Sequence, residues 1–205
     1  MIATDKDDRL RRNEWYVIPV SQAVAEAIVE QYHYARAASS IIVYRHGLFR
    51  HDSARCWGVA LWIPPTRSCA EASYDGDWQR VLTLHRLVCV PEAPRNAASF
   101  LIGQSIKIIR RDAIWECLLT YADPIEGHTG AIYRAINWEY IGLSDVETRW
   151  VDKNGRIVAR KCGTHTRTNG EMLELGYTPV AASAKHKYRM ILGPAKKKQM
   201  ELPLC

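Results

Sequence analysis

Residues 115–142, WECLLTYADPIEGHTGAIYRAINWEYIG, constrain this chain more than any other stretch. The apolar run 115–121 reads as a buried strand. It stops at Asp123-Pro124, because the residue before a proline is pushed out of the helical region and proline has no N–H to offer a ladder. A polar loop with Gly127, His128 and Gly130 follows. Ile132 and Ile136, four apart, predict a short helix that carries Tyr133 on another face. Residues 138–142 predict a second strand. A strand, a loop holding an acid and a histidine, a helix with a tyrosine, then a strand is a site-building order, since chemistry is commonly placed on loops at the ends of a rigid sheet.

The flanking segments extend the pattern. Residues 15–20, 57–63, 82–90 and 185–192 predict strands, and 41–44 and 47–50 two short extended pieces. Ser21 can cap a helix over 22–33 with Val24, Ile28, Val29 and Tyr32 on one face. That helix runs into Tyr32-His33-Tyr34-Ala-Arg36, aromatics and a histidine suited to a substrate wall or simply to packing. Residues 66–78 are polar and irregular and predict a loop. In 82–90, strict alternation would put His85 and Arg86 on opposite faces. Arg86 needs a partner inside so apolar a strand, Asp123 or the substrate. Arg95-Asn96-Ala97-Ala98-Ser99 then leads into a helix at 99–112. A tight turn of small residues between strand and helix offers backbone N–H groups and the positive helix end to an anion. Asn154-Gly155 marks a hairpin, and Gly176 ends a short helix at 171–175.

With 205 residues and 47% apolar content, one domain is expected, large enough for a core of its own. No run approaches the ~18 apolar residues of a spanning helix. The N-terminus is charged and lacks an apolar signal core, which predicts a cytoplasmic, membrane-free protein. Six scattered cysteines without a C-x-x-C pair read as buried free thiols. Cys162 and His165 lack the second pair a zinc site requires, so no metal ligands are assigned.

Charge is distributed unevenly. Residues 149–205 hold 12 Lys/Arg against 4 Asp/Glu, a net +8, while residues 1–148 hold 16 against 18, a net −2. Basic segments attract polyanions by releasing counterions. Part of the excess is the run Lys196 to Lys198 in a tail at 194–205. The rest, Arg149, Arg156, Arg160, Lys161, Arg167, Lys185, Lys187 and Arg189, sits among structured-looking residues and predicts a nucleic-acid partner.

The element order matches the Gcn5-related N-acetyltransferase (GNAT) superfamily. The strongest part of that match is Ala131-Ile-Tyr133-Arg-Ala-Ile-Asn137-Trp138, with Asn137-Trp138 where the superfamily has glycine and an aromatic. The resemblance implies an α/β (α+β) fold: a central mixed, mostly antiparallel twisted sheet flanked by helices. Here it would form a single domain over 1–205 with a basic insertion at about 143–180. Residues 95–99 lie where the superfamily has its glycine-bearing pyrophosphate loop, with alanine and serine in place of both glycines. More narrowly, Tyr32-His33-Tyr34, residues 58–65, Leu84-His-Arg86-Leu, residues 95–99, Tyr121-Ala-Asp123, Gly127-His128-Thr-Gly130, Tyr133, Asn137-Trp138 and Lys185-His-Lys-Tyr188 together resemble the bacteriophage Mom proteins. Those proteins convert adenine in DNA to N6-carbamoylmethyladenine and shield phage DNA from restriction. The resemblance covers roughly residues 15–192.

The resemblance implies an adenine N6 amine as acceptor, extruded from double-stranded DNA. It implies Asp123 as base or hydrogen-bond acceptor, Tyr133 as general acid and Arg86 as anion stabiliser, with His33, Tyr34 and His128 in proton transfer or base contact. The turn of Arg95, Asn96, Ala97, Ala98 and Ser99 would hold the donor. The donor itself stays open: acetyl-CoA or another glycine-derived donor such as an aminoacyl-tRNA, with a redox metal and a homodimer also open. Two rivals stand beside this reading, an acetyl-CoA-dependent N-acetyltransferase of a small-molecule or protein amine and a non-catalytic DNA-binding protein.

Overall fold

The computed structural model describes residues 9–34, 41–162 and 165–193. In order, they form β1 (Trp15–Pro19), α1 (Gln22–Tyr32), β2 (Tyr44–Arg50), β3 (Cys56–Ile63), α2 (Arg67–Glu71), β4 (Val81–Cys89), α3 (Ala97–Asp112), β5 (Cys117–Ala122), α4 (Ala131–Ala135) and β6 (Glu139–Leu143). After these come β7 (Glu147–Val151), β8 (Ile157–Val158), β9 (Lys161–Cys162), β10 (His165–Thr166), α5 (Asn169–Glu174), β11 (Thr178–Ser183) and β12 (His186–Ile191). Arg36 and the tail at 194–205 lie outside the described residues.

Seven strands make the central sheet in the order β1-β2-β3-β4-β5-β12-β6. Only β4 and β5 run parallel; the other pairs are antiparallel. The mixed, mostly antiparallel sheet flanked by helices expected from the sequence is therefore present. Its middle is buried on both faces, so β3 reads as an unbroken apolar run and not as an alternating one. Ala60 and Trp62 pack with Leu101, Ile102, Ile106 and Ile109 of α3, while Val59 and Leu61 pack with Ala25 and Val29 of α1 on the other side. Val24, expected on the buried face of α1, is exposed, and Ala25, not expected there, is buried beside Val29. Ser105 of α3 ties the layers together: its hydroxyl lies 2.5 Å from His46 Nδ1 on β2 and accepts from Trp62 Nε1 at 2.7 Å. Of the two extended pieces expected at 41–44 and 47–50, the second lies within β2 and the first only touches its start at Tyr44, and residues 66–78 hold α2 instead of a continuous loop.

Two irregularities open the sheet. Between β3 and β4 the pairing goes from Leu61–Arg86 directly to Trp62–Leu84, so His85 is an extra, bulged residue. Pairing of β4 with β5 runs from Val81–Cys117 only to Leu84–Thr120, although β4 continues to Cys89. From His85 onward the two parallel strands part, leaving a cleft through the sheet.

The chain between β6 and β12 forms the insertion. β11, β7 and β8 make a three-stranded sheet, β9 and β10 a small hairpin, and α5 is closed by a capping box between Thr168 and Glu171. The five described cysteines are free thiols. No helix among the described residues is long and apolar enough to cross a membrane.

Candidate functional site

The stretch 115–142 folds around the cleft. Where β5 ends, Asp123 caps a 3-10 turn at Pro124–Glu126, its Oδ1 accepting from the Ile125 N–H at 3.0 Å. Gly127 and Gly130 both take positive φ, +72°. At Gly130 the need is double: a Cβ there would lie 2.3 Å from the Tyr188 ring. Tyr188 on β12 locks the loop, its hydroxyl donating to the Thr129 carbonyl at 3.1 Å and accepting from Arg134 Nη1 at 2.6 Å. This seats Tyr133, only 8% exposed, between Trp138 and Tyr188, with ring centroids 5.8 Å and 5.4 Å away. Asn137 sits at φ +64°. Asparagine is one of the few residues that tolerates this region, which accounts for its place where glycine was expected.

Three cavities converge here. One of about 420 Å³ occupies the cleft and is lined by His33, Ala98, residues 127–133 and the outer half of β4. A larger one, about 920 Å³, lies beyond it toward α2 and Lys185 and Lys187. Leu84, His85 and Tyr121 line both and form the wall between them. A third, about 460 Å³, lies at the seam with the insertion. Tyr34 and Asp123 line all three.

Burial sets the charge states. His33, at the end of α1 with its ring 4.2 Å from that of Tyr34, has its pKa lowered to about 4 by burial, then by Arg86 and His128. His85 is lowered to about 4 by burial, Arg86, His33 and Lys185. Both rings are therefore neutral at pH 7. Burial pushes the Tyr34 and Tyr133 phenols up, so both keep their protons. Asp123 Oδ2 accepts from Arg149 Nη2 at 3.0 Å, and Glu126 Oε1 accepts from Arg149 Nη1 at 2.5 Å. The same guanidinium lies 5.6 Å from the Tyr34 ring centre.

Most of the expected catalytic residues meet. His33, Tyr34, Asp123, His128 and Tyr133 line the cleft cavity, and Arg86 lines the two others. Several expectations change. Of the two partners open to Arg86, Asp123 forms its ion pair with Arg149 instead, while Arg86 donates to the His85 carbonyl at 2.9 Å and lines two cavities. The bulge also removes the alternation expected at His85 and Arg86, which line the same large cavity. Of the turn at 95–99, Ala98 alone faces the cleft cavity. Arg95 is exposed and Ala97 buried; Asn96 Oδ1 accepts from the Leu10 N–H at 2.7 Å, and Ser99 donates to the Asn96 carbonyl. No side chain caps α3, so its N-terminus beside Ala98 fits an anion through backbone N–H groups.

The basic residues separate into groups. Arg149 is turned inward, its side chain 17% exposed, and Arg189 is paired with Glu139 at 2.7 Å. Neither has the open position expected of a phosphate contact. Arg160 and Lys161 line the seam cavity, Lys187 the large one and Lys185 both, while Arg156 is exposed. Arg167 donates to the Ala159 carbonyl. His85, Tyr121 and Glu126 join the site without having been singled out as functional. An acid three residues after Asp123 was the readable sign of Glu126; the bulge at His85 leaves no sequence sign.

The Mom protein family is matched over residues 14–204. No curated protein sequence matches. Among solved structures, the Escherichia coli ribosomal-protein-S18-alanine N-acetyltransferase superposes with a TM-score of 0.51 at 9% identity, over 90% of this chain and 97% of that one. A GCN5-related N-acetyltransferase from Kribbella flavida gives 0.52 at 11% identity, over 88% and 99%. An N-acetyltransferase from Staphylococcus aureus Mu50 gives 0.52 at 10%, over 87% and 98%. At these identities the likeness is one of fold.

Proposed function

Since the chain belongs to the Mom protein family, we propose that it is a DNA-modifying transferase that places a carbamoylmethyl (acetamido-type) group on the N6 amine of adenine and so protects DNA from restriction. The observation that carries this reading is the meeting of two cavities at Tyr34 and Asp123, one in the cleft of the sheet and one twice its size beside Lys185 and Lys187. Donor and acceptor can each have a cavity and touch at one point.

The adenine amine is a poor nucleophile, because its lone pair is delocalised into the ring. It has to be held against the donor and relieved of a proton. Tyr34 offers an aromatic face for an extruded base. Asp123, fixed by Arg149, accepts a hydrogen bond from the amine and orients it. His33, neutral at pH 7, takes the N6 proton as nitrogen bonds to the donor carbon. Tyr133 keeps its proton through burial and hands it to the leaving group. Arg86 stabilises the developing negative charge. A carbamoylmethyl product takes two carbons and a nitrogen from its donor, which a glycine-derived compound with an activated carbon supplies, its leaving group departing with the Tyr133 proton; acetyl-CoA attacked at its carbonyl would give an acetyl group and coenzyme A thiol instead. The N-terminus of α3 at Ala98 would hold the donor's anionic part. Exposed Arg156 and the neighbouring cations draw in the duplex.

Mass spectrometry of nucleosides from cells expressing the protein tests this directly. A new adenine derivative with the mass of an added carbamoylmethyl group is expected. Unmodified adenine throughout, with the folded protein present, overturns the reading. The N-acetyltransferase fold supports a second reading, acetyl transfer to another amine. That reading predicts acetyl-CoA binding by calorimetry and no shift of DNA in a gel.

A further inference from the structure

The seam cavity adjoins the acceptor side of the site and not the donor side. Arg86, Glu147 and Lys185 line it together with the large cavity, whereas it shares only Tyr34 and Asp123 with the cleft. Five cations line it, Arg86, Arg149, Arg160, Lys161 and Lys185, against two carboxylates, Asp123 and Glu147. Allowing for Glu126, which also holds Arg149, leaves the excess positive. Lys185 and Glu147 are 3.7 Å apart, too long for a tight bond. These cations come from β4, β7, the β8–β9 connection, β9 and the residue before β12, so the fold gathers them from distant parts of the chain. Like charges around one concavity repel, and an anion between them removes the penalty. Forked guanidinium donors beside ammonium groups suit a phosphate.

An extruded base brings its own sugar and phosphates, which must lie next to the base. We infer that the seam cavity seats the phosphodiester of the extruded nucleotide, with Arg160 and Lys161 on the insertion and Lys185 at the mouth shared with the base. This site rests on the reading of the large cavity as the place for the base. It gives the insertion a part in substrate binding beyond attracting duplex DNA.

Binding of 2′-deoxyadenosine 5′-monophosphate, 2′-deoxyadenosine and the corresponding thymidine pair to the full chain, measured by calorimetry at fixed ionic strength, separates the claims. The adenine nucleotide should bind about tenfold or more tightly than its nucleoside, the value of one charge-assisted contact. In Lys161→Ala/Lys185→Ala that ratio should fall toward one, and in the exposed hairpin variant Lys153→Ala it should stay. Equal affinities for nucleotide and nucleoside, no measurable nucleotide binding, or a ratio unmoved by the double variant overturns the seam site. So does loss of the phosphate-dependent gain when coenzyme A is added, which would assign the cations to the donor. The same gain for thymidine keeps the seam site and removes adenine from the neighbouring cavity.

Discussion

The cleft and the insertion carry polar residues of the same types and use them differently. Around the cleft, side chains are half-buried or buried, and burial sets their protonation: neutral His33 and His85, protonated Tyr133. Among the described residues of the insertion, Trp150 and Met172 are the buried ones, three strands have two residues each, and Lys153, Arg156 and Lys161 are exposed while the other cations are half-buried. The cleft is built for geometry and the insertion for charge. Arg149 crosses between them, on an insertion strand but bonded to Asp123 and Glu126 of the core loop. Position in the chain alone therefore does not tell what an arginine does.

The sharpest break comes from chemistry. Tyr133→Phe removes one hydroxyl from a packed ring and should leave the fold intact. It should lower the modification rate by roughly 100-fold or more, the usual contribution of a positioned acid. The rate of adenine modification on a synthetic duplex, read by mass spectrometry, checks this; a rate within twofold of the parent removes Tyr133 from the reaction.

Next come two glycines in the same loop with the same φ. Gly130→Ala meets Tyr188 and takes a strained backbone, and should cost about 3 kcal/mol. Gly127→Ala has nothing within 4 Å and bears only the backbone term, about 1 kcal/mol. Urea unfolding midpoints rank them; equal losses would mean that the Tyr188 lock adds nothing.

Much of the core was readable because its strands are apolar runs stopped by proline. Residues 57–63 end at Pro64-Pro65, and 115–122 end at Asp123-Pro124. The loop geometry was readable too, in glycines flanking His128. Other features left no local mark. β11 contains Pro179 and two alanines and lies at a sheet edge, where proline is tolerated but period-2 patterning is weak. α2 has five residues, too few to show a helical period. The partner of Asp123 is 26 residues away on a hairpin whose orientation is tertiary. Single-strand alternation also has no means of announcing the bulge that turns His85 and Arg86 to one cavity.

Arg149→Met tests the joint between the regions. The Asp123 side chain, 6% exposed, is then left without this cation, and breaking so enclosed a pair should cost about 2–3 kcal/mol. Asp123→Asn in the same background should recover part of that loss, because the uncompensated charge is gone. Additive losses in the double variant would show that the two side chains are not coupled.

Acid separates the regions by titration. His33, His46 and His85 have folded-state pKa values of about 4, against 6.5 for the unperturbed ring. Between those values the unfolded chain binds protons that the folded chain refuses. The stability associated with these rings is whole above pH 6.5 and falls as pH drops toward 4. Melting temperatures across that window should decline, less steeply in His46→Gln. If His33 takes the N6 proton, the acid limb of kcat/KM should lie near pH 4. A limb at 6.5 would assign the proton to another group.

The smallest effects should appear in the salt dependence of duplex binding, and they separate the arginines one by one. Exposed Arg156→Ala and Lys161→Ala should each flatten the log–log slope of affinity against salt by about 0.9 for every phosphate the native side chain neutralises. Arg149→Met and Arg189→Ala should leave it unchanged, because their charges are already matched by Asp123, Glu126 and Glu139. Fluorescence anisotropy with a labelled duplex at several salt concentrations gives all four slopes. A slope reduced by Arg149→Met as much as by Lys161→Ala would mean that DNA draws Arg149 away from Asp123. The bond that orients the carboxylate would then belong only to the DNA-free protein.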